Sequence, residues 1–145
     1  MTGLLLLLTS LGGGLGAVCR FVLDGVIRTG LRPRGSGPAP RVPDRRARGF
    51  PEPVPWPTIT VNVSGSLALG VLMGLSAAAA LPTGWSVVVG TGFLGGYTTF
   101  STASVEAVGL LRAGRWTAAA ATAGGVLLVG TAAAGLGLWA GALIA

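Results

Sequence analysis

Four long apolar stretches dominate this 145-residue chain and restrict it to a membrane fold. They run over about 4–27, 58–81, 85–111 and 116–145. A helix needs roughly 20 apolar residues to cross the hydrocarbon core of a bilayer, because it rises about 1.5 Å per residue. Each stretch reaches that length. The sequence therefore predicts an all-α membrane protein, with one domain of four transmembrane helices over residues 1–145.

The first stretch has one alternative interpretation, a cleaved signal peptide. A small-x-small pattern is present at 10–12. However, no basic region precedes the stretch, and it stays apolar as far as Arg20 and Asp24. A signal peptide has a basic start and a shorter apolar core. We therefore expect a membrane helix here.

The overall composition excludes several classes of function. Hydrophobic residues make up 51% of the chain and charged residues only 10%, which is not the composition of a soluble domain. There is no histidine and one cysteine, Cys19, so an internal disulfide and a His/Cys zinc cluster are excluded. The sequence offers no nucleophile–base arrangement and no carboxylate pair, and an enzyme is not expected.

The positive charge is placed as in a membrane protein. All ten basic residues are arginines, and nine of them lie in the connections after the first and third apolar stretches. No basic face with interleaved aromatic residues is available for bases to stack on, so nucleic acid is not an expected partner. Arginine-rich connections stay in the cytoplasm, which predicts one fixed orientation with both termini outside. The first of these connections, 28–57, is rich in proline and glycine and is expected to be mobile.

The third apolar stretch contains an unusually polar run, GGYTTFST, at 95–102. In hydrocarbon, irregular backbone persists only where it is buried in protein or lines a polar cavity. We predict that this helix is broken at 95–98 and that its unpaired carbonyl groups coordinate a cation. Oxygen ligands without carboxylates favour a monovalent cation over calcium or magnesium.

The same run also offers donors for an anion. The hydroxyl groups of Thr99, Ser101 and Thr102 can donate hydrogen bonds, and Phe100 can present the positive edge of its ring. The run therefore predicts a membrane-buried ion site.

Few other polar residues enter the apolar stretches. Asn62 lies in the second and is favoured as functional over a simple interhelical hydrogen bond, because amide side chains are costly in lipid. Glu106 lies in the third, where solvation at the membrane interface is the alternative. Arg20 either anchors the end of the first helix or pairs with Asp24, four residues away.

Three segments, in order, resemble the motifs of a known family. GGLGAVCRF at 13–21 resembles its first-helix pattern GGxxGAxxRY, and TITVNVSGS at 58–66 resembles its second-helix pattern GTLxVNxxGS. GFLGGYTTFST at 92–102 resembles its third-helix pattern GxxGGxTTFSTF. Together they are similar to the fluoride channels called Fluc or CrcB. The fourth stretch matches in number and length only.

The resemblance implies an assembly and a location. It implies an antiparallel, dual-topology homodimer in the cell membrane, with two pores that export fluoride passively and lower its cytoplasmic concentration. It also implies a structural sodium ion at the dimer centre, held by main-chain carbonyl groups of Gly95 and Thr98 from both subunits.

The resemblance also assigns the pore. It makes Asn62 a pore-lining donor, Phe100 part of an aromatic box and Glu106 a candidate at the pore. The fourth stretch has no aligned motif, and a hydroxyl there, of Thr122 or Thr131, is a candidate to continue the path. The candidate pore and fluoride-binding residues are Arg20, Asn62, Thr99, Phe100, Ser101, Thr102 and Glu106.

Two departures from the family pattern matter. Ala103 stands where the pattern ends with a second phenylalanine, and the arginine bias conflicts with dual topology. Both motivate the hypothesis that the chain is half of a heterodimer with an oppositely oriented homologue. A weaker alternative is that the basic connection shifts the bias without preventing inverted insertion. A non-conducting assembly subunit is a further alternative, for which Ala103 is the best argument.

A different transport class is the four-helix, dual-topology multidrug exporters. These antiporters need a membrane carboxylate in the first helix to exchange protons for cations. Here the first stretch has only Asp24, near its end and one turn from Arg20, which counts against this class.

Overall fold

The part of the chain that the structure describes, residues 2–30 and 55–144 of a computed structural model, is all helical apart from short turns. The elements are α1 (Gly3–Gly30), α2 (Trp56–Ala77), α3 (Thr83–Ser86), a π-helical segment (Val87–Leu94), α4 (Gly95–Tyr97), α5 (Phe100–Arg112) and α6 (Trp116–Ile144). The all-α prediction is confirmed for these residues.

Three of the described helices, α1, α2 and α6, are long and apolar enough to cross a membrane. The third predicted stretch, 85–111, falls instead in a run of shorter helices over 83–112, which we call the third span. The described chain thus contains three long helices and one interrupted helix of comparable extent. This arrangement agrees with four membrane crossings in which the third is bent.

The third span is interrupted at Thr98 and Thr99. Both residues have extended backbone, with φ and ψ of −79° and 162° at Thr98 and of −149° and 118° at Thr99. The break predicted over 95–98 is therefore wrong in its extent, because Gly95–Tyr97 is still helical. The helix resumes at Phe100, and the Thr99 hydroxyl caps it by accepting a hydrogen bond from the Thr102 N–H.

Glycine allows α1 to lie directly against the third span. A methyl group added to Gly16 would overlap the Phe93 carbonyl, and one added to Gly96 would overlap the Gly13 carbonyl. The two backbones are therefore in contact. Lipid offers no hydrophobic drive for helix association, so close approach of this kind is a main source of packing energy.

Glycines also bring the backbones of α2 and α6 into contact. Added methyl groups on Gly70 and Gly74 would overlap backbone atoms of α6, and those on Gly137 and Gly141 would overlap backbone atoms of α2. In each helix the two glycines are four residues apart, the small-xxx-small spacing that lets membrane helices pack closely. They fix α2 and α6 as a rigid pair, and this pair positions Asn62 opposite the break.

In α1 and α2, three helix ends differ from the predicted bounds by two residues or more. The second helix ends at Ala77 rather than at 81, because the chain turns there and Ala79 has a positive φ of 57°. Helix α1 continues to Gly30 and α2 begins at Trp56, so both extend into the predicted connection 28–57. The expected mobility of that connection concerns residues 31–54, which lie outside the described chain.

Candidate functional site

The side chain of Asn62 bridges α2 and the break in the third span. Its Nδ2 donates to the Thr99 carbonyl at 3.0 Å, and its Oδ1 accepts from the Thr99 N–H at 2.9 Å. The amide thus pairs with one residue of extended backbone as a neighbouring strand would. One Nδ2 hydrogen remains for another acceptor, since a side-chain amide has two.

The break releases two backbone carbonyl groups from the helical pattern. In an uninterrupted α-helix the Thr99 N–H would donate to the Gly95 carbonyl, and the Thr102 N–H to the Thr98 carbonyl. Here the Thr99 N–H donates to Asn62 and the Thr102 N–H donates to Thr99 Oγ1. The Gly95 and Thr98 carbonyl oxygens therefore lose their α-helical donors, and they are the two predicted cation ligands.

The three predicted anion-donating hydroxyls form a cluster at the start of α5. Thr99 Oγ1 lies 3.1 Å from Thr102 Oγ1 and 3.3 Å from Ser101 Oγ. The unpaired N–H groups of a helix N-terminus carry partial positive charge, which favours an anion. Both the hydroxyl cluster and the N-terminus of α5 therefore favour an anion.

A cavity of about 480 Å³ lies on one side of the break. It lies between α2, the third span and α6, and its polar lining includes Asn62, Thr98, Thr99 and Thr131. Phe100, at its rim, has 88% of its surface exposed. Of the two fourth-stretch candidates, only Thr131 is in this cavity. Thr122 lines a separate apolar groove.

A smaller cavity of about 190 Å³ lies on the other side of the break, near the arginine-rich ends of the helices. Arg20, Arg28, Thr58 and Thr102 line it, and Thr99 lines both cavities. Thr99 is thus the residue at which the two spaces meet. A polar interruption with cavities on either side is what a membrane path for a small ion requires.

Glu106 lies one helical turn beyond the hydroxyl cluster and contacts α2. Its Oε1 accepts a hydrogen bond of 3.0 Å from the hydroxyl of the buried Thr58. The carboxylate is half-buried against protein. Solvation at the interface therefore does not account for its position by itself.

The predicted Arg20–Asp24 pair does not form. Asp24 instead pairs with Arg28, at 2.7 Å between Arg28 Nε and Asp24 Oδ2. Arg20 Nε is buried and, among the described residues, has no hydrogen-bond partner. Arg20 therefore brings a positive charge to the smaller cavity, whose lining also contains the Asp24–Arg28 ion pair.

Two residues of the site escaped the sequence analysis, Thr58 and Arg28. Thr58 precedes Asn62 by four residues, which places both on one face of α2. That spacing could have identified Thr58, because a hydroxyl on the face of a functional amide meets the same neighbours. Arg28 lies four residues after Asp24, a spacing that could have identified it as a candidate partner of that carboxylate.

Comparison with known sequences decides the family. Residues 7–138 match the family described as CrcB-like protein, Camphor Resistance (CrcB). The chain belongs to the CrcB family. This membership, together with the three apolar helices, makes it a multi-pass membrane protein.

Other CrcB-family proteins match over most of the chain. It is 44% identical over 143 residues to "Fluoride-specific ion channel FluC 1" of Leifsonia xyli subsp. xyli, which covers 99% of this chain and 90% of that protein. It is 36% identical over 140 residues to the FluC of Nitratidesulfovibrio vulgaris, covering 96% and 98%. It is 39% identical over 127 residues to FluC 2 of Mycobacterium tuberculosis, covering 88% and 82%. The expectation of a channel rather than an enzyme agrees with these names.

Proposed function

We propose that this chain forms a fluoride-selective channel through which fluoride leaves the cytoplasm passively. The observation that carries the proposal is the polar break at Asn62 and Thr99, which has a cavity on each side. The names of the matched relatives supply the identity of the ion. The geometry supplies donors where a small anion would need them.

Fluoride is small and strongly hydrated, so a pore must replace its water with several donors. The site offers the second Nδ2 hydrogen of Asn62, the hydroxyls of Ser101 and Thr102, and the ring edge of Phe100. All are neutral, so they pair with an anion without a charge that would trap it. Conduction needs such intermediate binding.

Arg20 would act at a distance rather than as a ligand in the narrow part. It lines the smaller cavity together with the Arg28–Asp24 ion pair, whose two charges offset each other. Positive charge in a cavity with low-dielectric walls raises the local concentration of anions. This end of the molecule would therefore gather fluoride before it reaches the hydroxyl cluster.

A second subunit is expected to cover the larger cavity. In the single chain that cavity is open to the surface, and Phe100 at its rim is almost fully exposed. Polar groups cannot face lipid tails without cost, so a protein surface must close the space. An antiparallel partner would bring its own break against this one and complete two pores.

We also propose that the carbonyl groups of Gly95 and Thr98 hold a structural sodium ion at the dimer centre. Both oxygens have lost their helical donors, and both belong to neutral groups. Within residues 2–30 and 55–144 there is no group of three or more acidic, thiol or imidazole side chains for a divalent metal. Two oxygens are too few for one chain, so the partner would supply the rest. When bound, the ion would supply fixed positive charge beside the anion path.

A heterodimer is the second candidate assembly, favoured by Ala103 and by the arginine bias. Ala103 lines the larger cavity, where the family pattern has a phenylalanine. An oppositely oriented homologue could supply the missing aromatic group. In that case this chain would conduct fluoride only when it is paired with that partner.

A cell assay tests the proposed function. The chain is expressed in bacteria that lack their own fluoride exporter, and intracellular fluoride is measured with an electrode after lysis. We expect lower intracellular fluoride and growth at higher external fluoride, alone or with an oppositely oriented homologue. Equal fluoride in cells with and without the verified membrane protein, under both conditions, would contradict the proposal. Asn62→Leu, at matched expression, is the inactive control.

A further inference from the structure

The break in the third span is maintained by two side-chain oxygens rather than by a helix-breaking residue. No proline is present between Pro82 and the end of α5, and the two glycines before the break are helical. The N–H groups of Thr99 and Thr102 are instead held by Asn62 Oδ1 at 2.9 Å and by Thr99 Oγ1 at 3.3 Å. Both oxygens compete with the backbone for its own donors.

At each position the competition frees one backbone carbonyl group. The oxygen of Asn62 keeps the Thr99 N–H from the Gly95 carbonyl, and the oxygen of Thr99 keeps the Thr102 N–H from the Thr98 carbonyl. In a membrane interior an N–H group must have an acceptor. If a side-chain oxygen is removed, the N–H needs another acceptor, and the carbonyl that it would bond in an uninterrupted α-helix is the one that the break had released.

We propose that Asn62 and Thr99 are positioning residues for the cation site, because each side chain keeps one of its two carbonyl ligands free. The inference rests on the proposed sodium site. Asn62 also lines the larger cavity and pairs with both backbone groups of Thr99. One amide therefore connects the anion path to the cation site, and sodium affinity is determined by a side chain that does not touch the ion.

The test compares sodium-dependent stability among four variants of the full chain. Melting temperature is measured in detergent in sodium chloride and in N-methylglucamine chloride of equal ionic strength. Wild type should melt higher in sodium, because an ion that binds only the folded state stabilises it. Asn62→Leu and Thr99→Val should need at least about tenfold more sodium for the same rise, as is typical when a group that orients a ligand is lost.

Two variants separate positioning from general damage. Thr99→Ser keeps the hydroxyl and should keep the wild-type sodium response. Ser104→Ala removes a hydroxyl of the same helix that donates to the Phe100 carbonyl, at 2.9 Å, and not to either released group. It should also respond as wild type. A hydroxyl that was merely structural would not produce this ordering.

The outcomes decide the inference independently of fluoride transport. Wild-type sodium responses in both Asn62→Leu and Thr99→Val would overturn it. No sodium response in wild type would overturn it too, although fluoride efflux could still be present. If neither variant folds, amide exchange in wild type decides. Sodium should slow exchange in peptides that cover 94–103, and the same exchange rates in both salts would overturn the inference.

Discussion

The amide of Asn62 and the backbone of Thr99 hydrogen-bond to each other twice, across 37 residues of sequence. The contact joins α2, which is fixed by its glycine packing against α6, to the one place where the third span lacks helical bonds. A loss of this amide would remove the partners of two backbone groups, and the Thr99 N–H would need another acceptor in the membrane interior. The packing of α2 and the geometry of the break are therefore coupled through one side chain.

Replacement of Asn62 should affect both stability and transport. Asn62→Leu keeps the branching of the side chain but removes both hydrogen bonds to Thr99, and each such bond contributes about 0.5–1.5 kcal/mol. We expect a lower melting temperature in detergent and a loss of fluoride flux in liposomes. Ser64→Ala, on the same helix, removes an exposed hydroxyl that hydrogen-bonds to the Tyr97 hydroxyl. This variant should keep most of the melting temperature and of the fluoride flux. Equal behaviour of the two variants would contradict the assigned role.

Replacement of Phe100 should separate transport from stability. Phe100 is 88% exposed in the single chain, so Phe100→Leu removes little packing within it. We expect a nearly unchanged melting temperature in detergent, with fluoride flux reduced roughly tenfold, which corresponds to about 1.4 kcal/mol in the barrier. Trp139→Leu is the matched control, since Trp139 is also exposed but lies away from both cavities. Wild-type flux in Phe100→Leu would exclude the ring from the path.

The Thr58–Glu106 contact should appear as a coupling energy. A hydrogen bond to a charged group contributes about 1.5–3 kcal/mol, and this one joins α2 to α5. A double-mutant cycle with Thr58→Val and Glu106→Met, which removes the acceptor, should be non-additive when it is read as melting temperature and as flux. The double variant should lose less than the sum of the single losses. Simple additivity would mean that the two groups act independently.

Alanine substitutions at two nearby glycines of α1 should have different effects on thermal stability. Gly16→Ala places a methyl group on the Phe93 carbonyl, and such overpacking costs about 1–3 kcal/mol. Gly14→Ala meets no atom within 4 Å and gains helix propensity, so it should be neutral or slightly stabilising. Thermal stability of the two purified variants checks this. A Gly16→Ala protein as stable as Gly14→Ala would contradict the backbone contact between α1 and the third span.

The arginine bias predicts one orientation in the membrane. Cysteine residues are introduced one at a time at Thr2 and Leu143, in a Cys19→Ser background, and labelled in intact cells with an impermeant reagent. We expect both sites to be labelled from outside. An even division between protected and labelled molecules would support dual topology and a homodimer instead.

Much of the architecture was predictable from sequence because hydropathy alone marks the apolar stretches. The position of the break was not, because the glycines of the polar run, Gly95 and Gly96, indicate a break over 95–98, whereas the extended residues are Thr98 and Thr99. In the structure Gly96 serves close packing against Gly13, and the break is set by an oxygen of Asn62 from another helix. Competition for an N–H by a residue so distant in sequence leaves no local pattern.

The ion pair of α1 is a second feature that the sequence alone could not predict. Asp24 lies four residues from both Arg20 and Arg28, so spacing alone could not choose between the two pairs. The structure pairs Asp24 with Arg28 and leaves Arg20 at the smaller cavity. The choice depends on what α2 and α5 place around the helix end.

Fluoride efflux from liposomes is the most direct test of the central claim. The purified chain is reconstituted alone and, separately, after coexpression with an oppositely oriented homologue, with a potassium ionophore as shunt and chloride efflux as control. We predict rapid, fluoride-selective release in at least one preparation, lost in Asn62→Leu. Release by the chain alone would indicate a homodimer, and release only after coexpression would indicate a heterodimer. No fluoride release from folded protein in either preparation would contradict the fluoride channel.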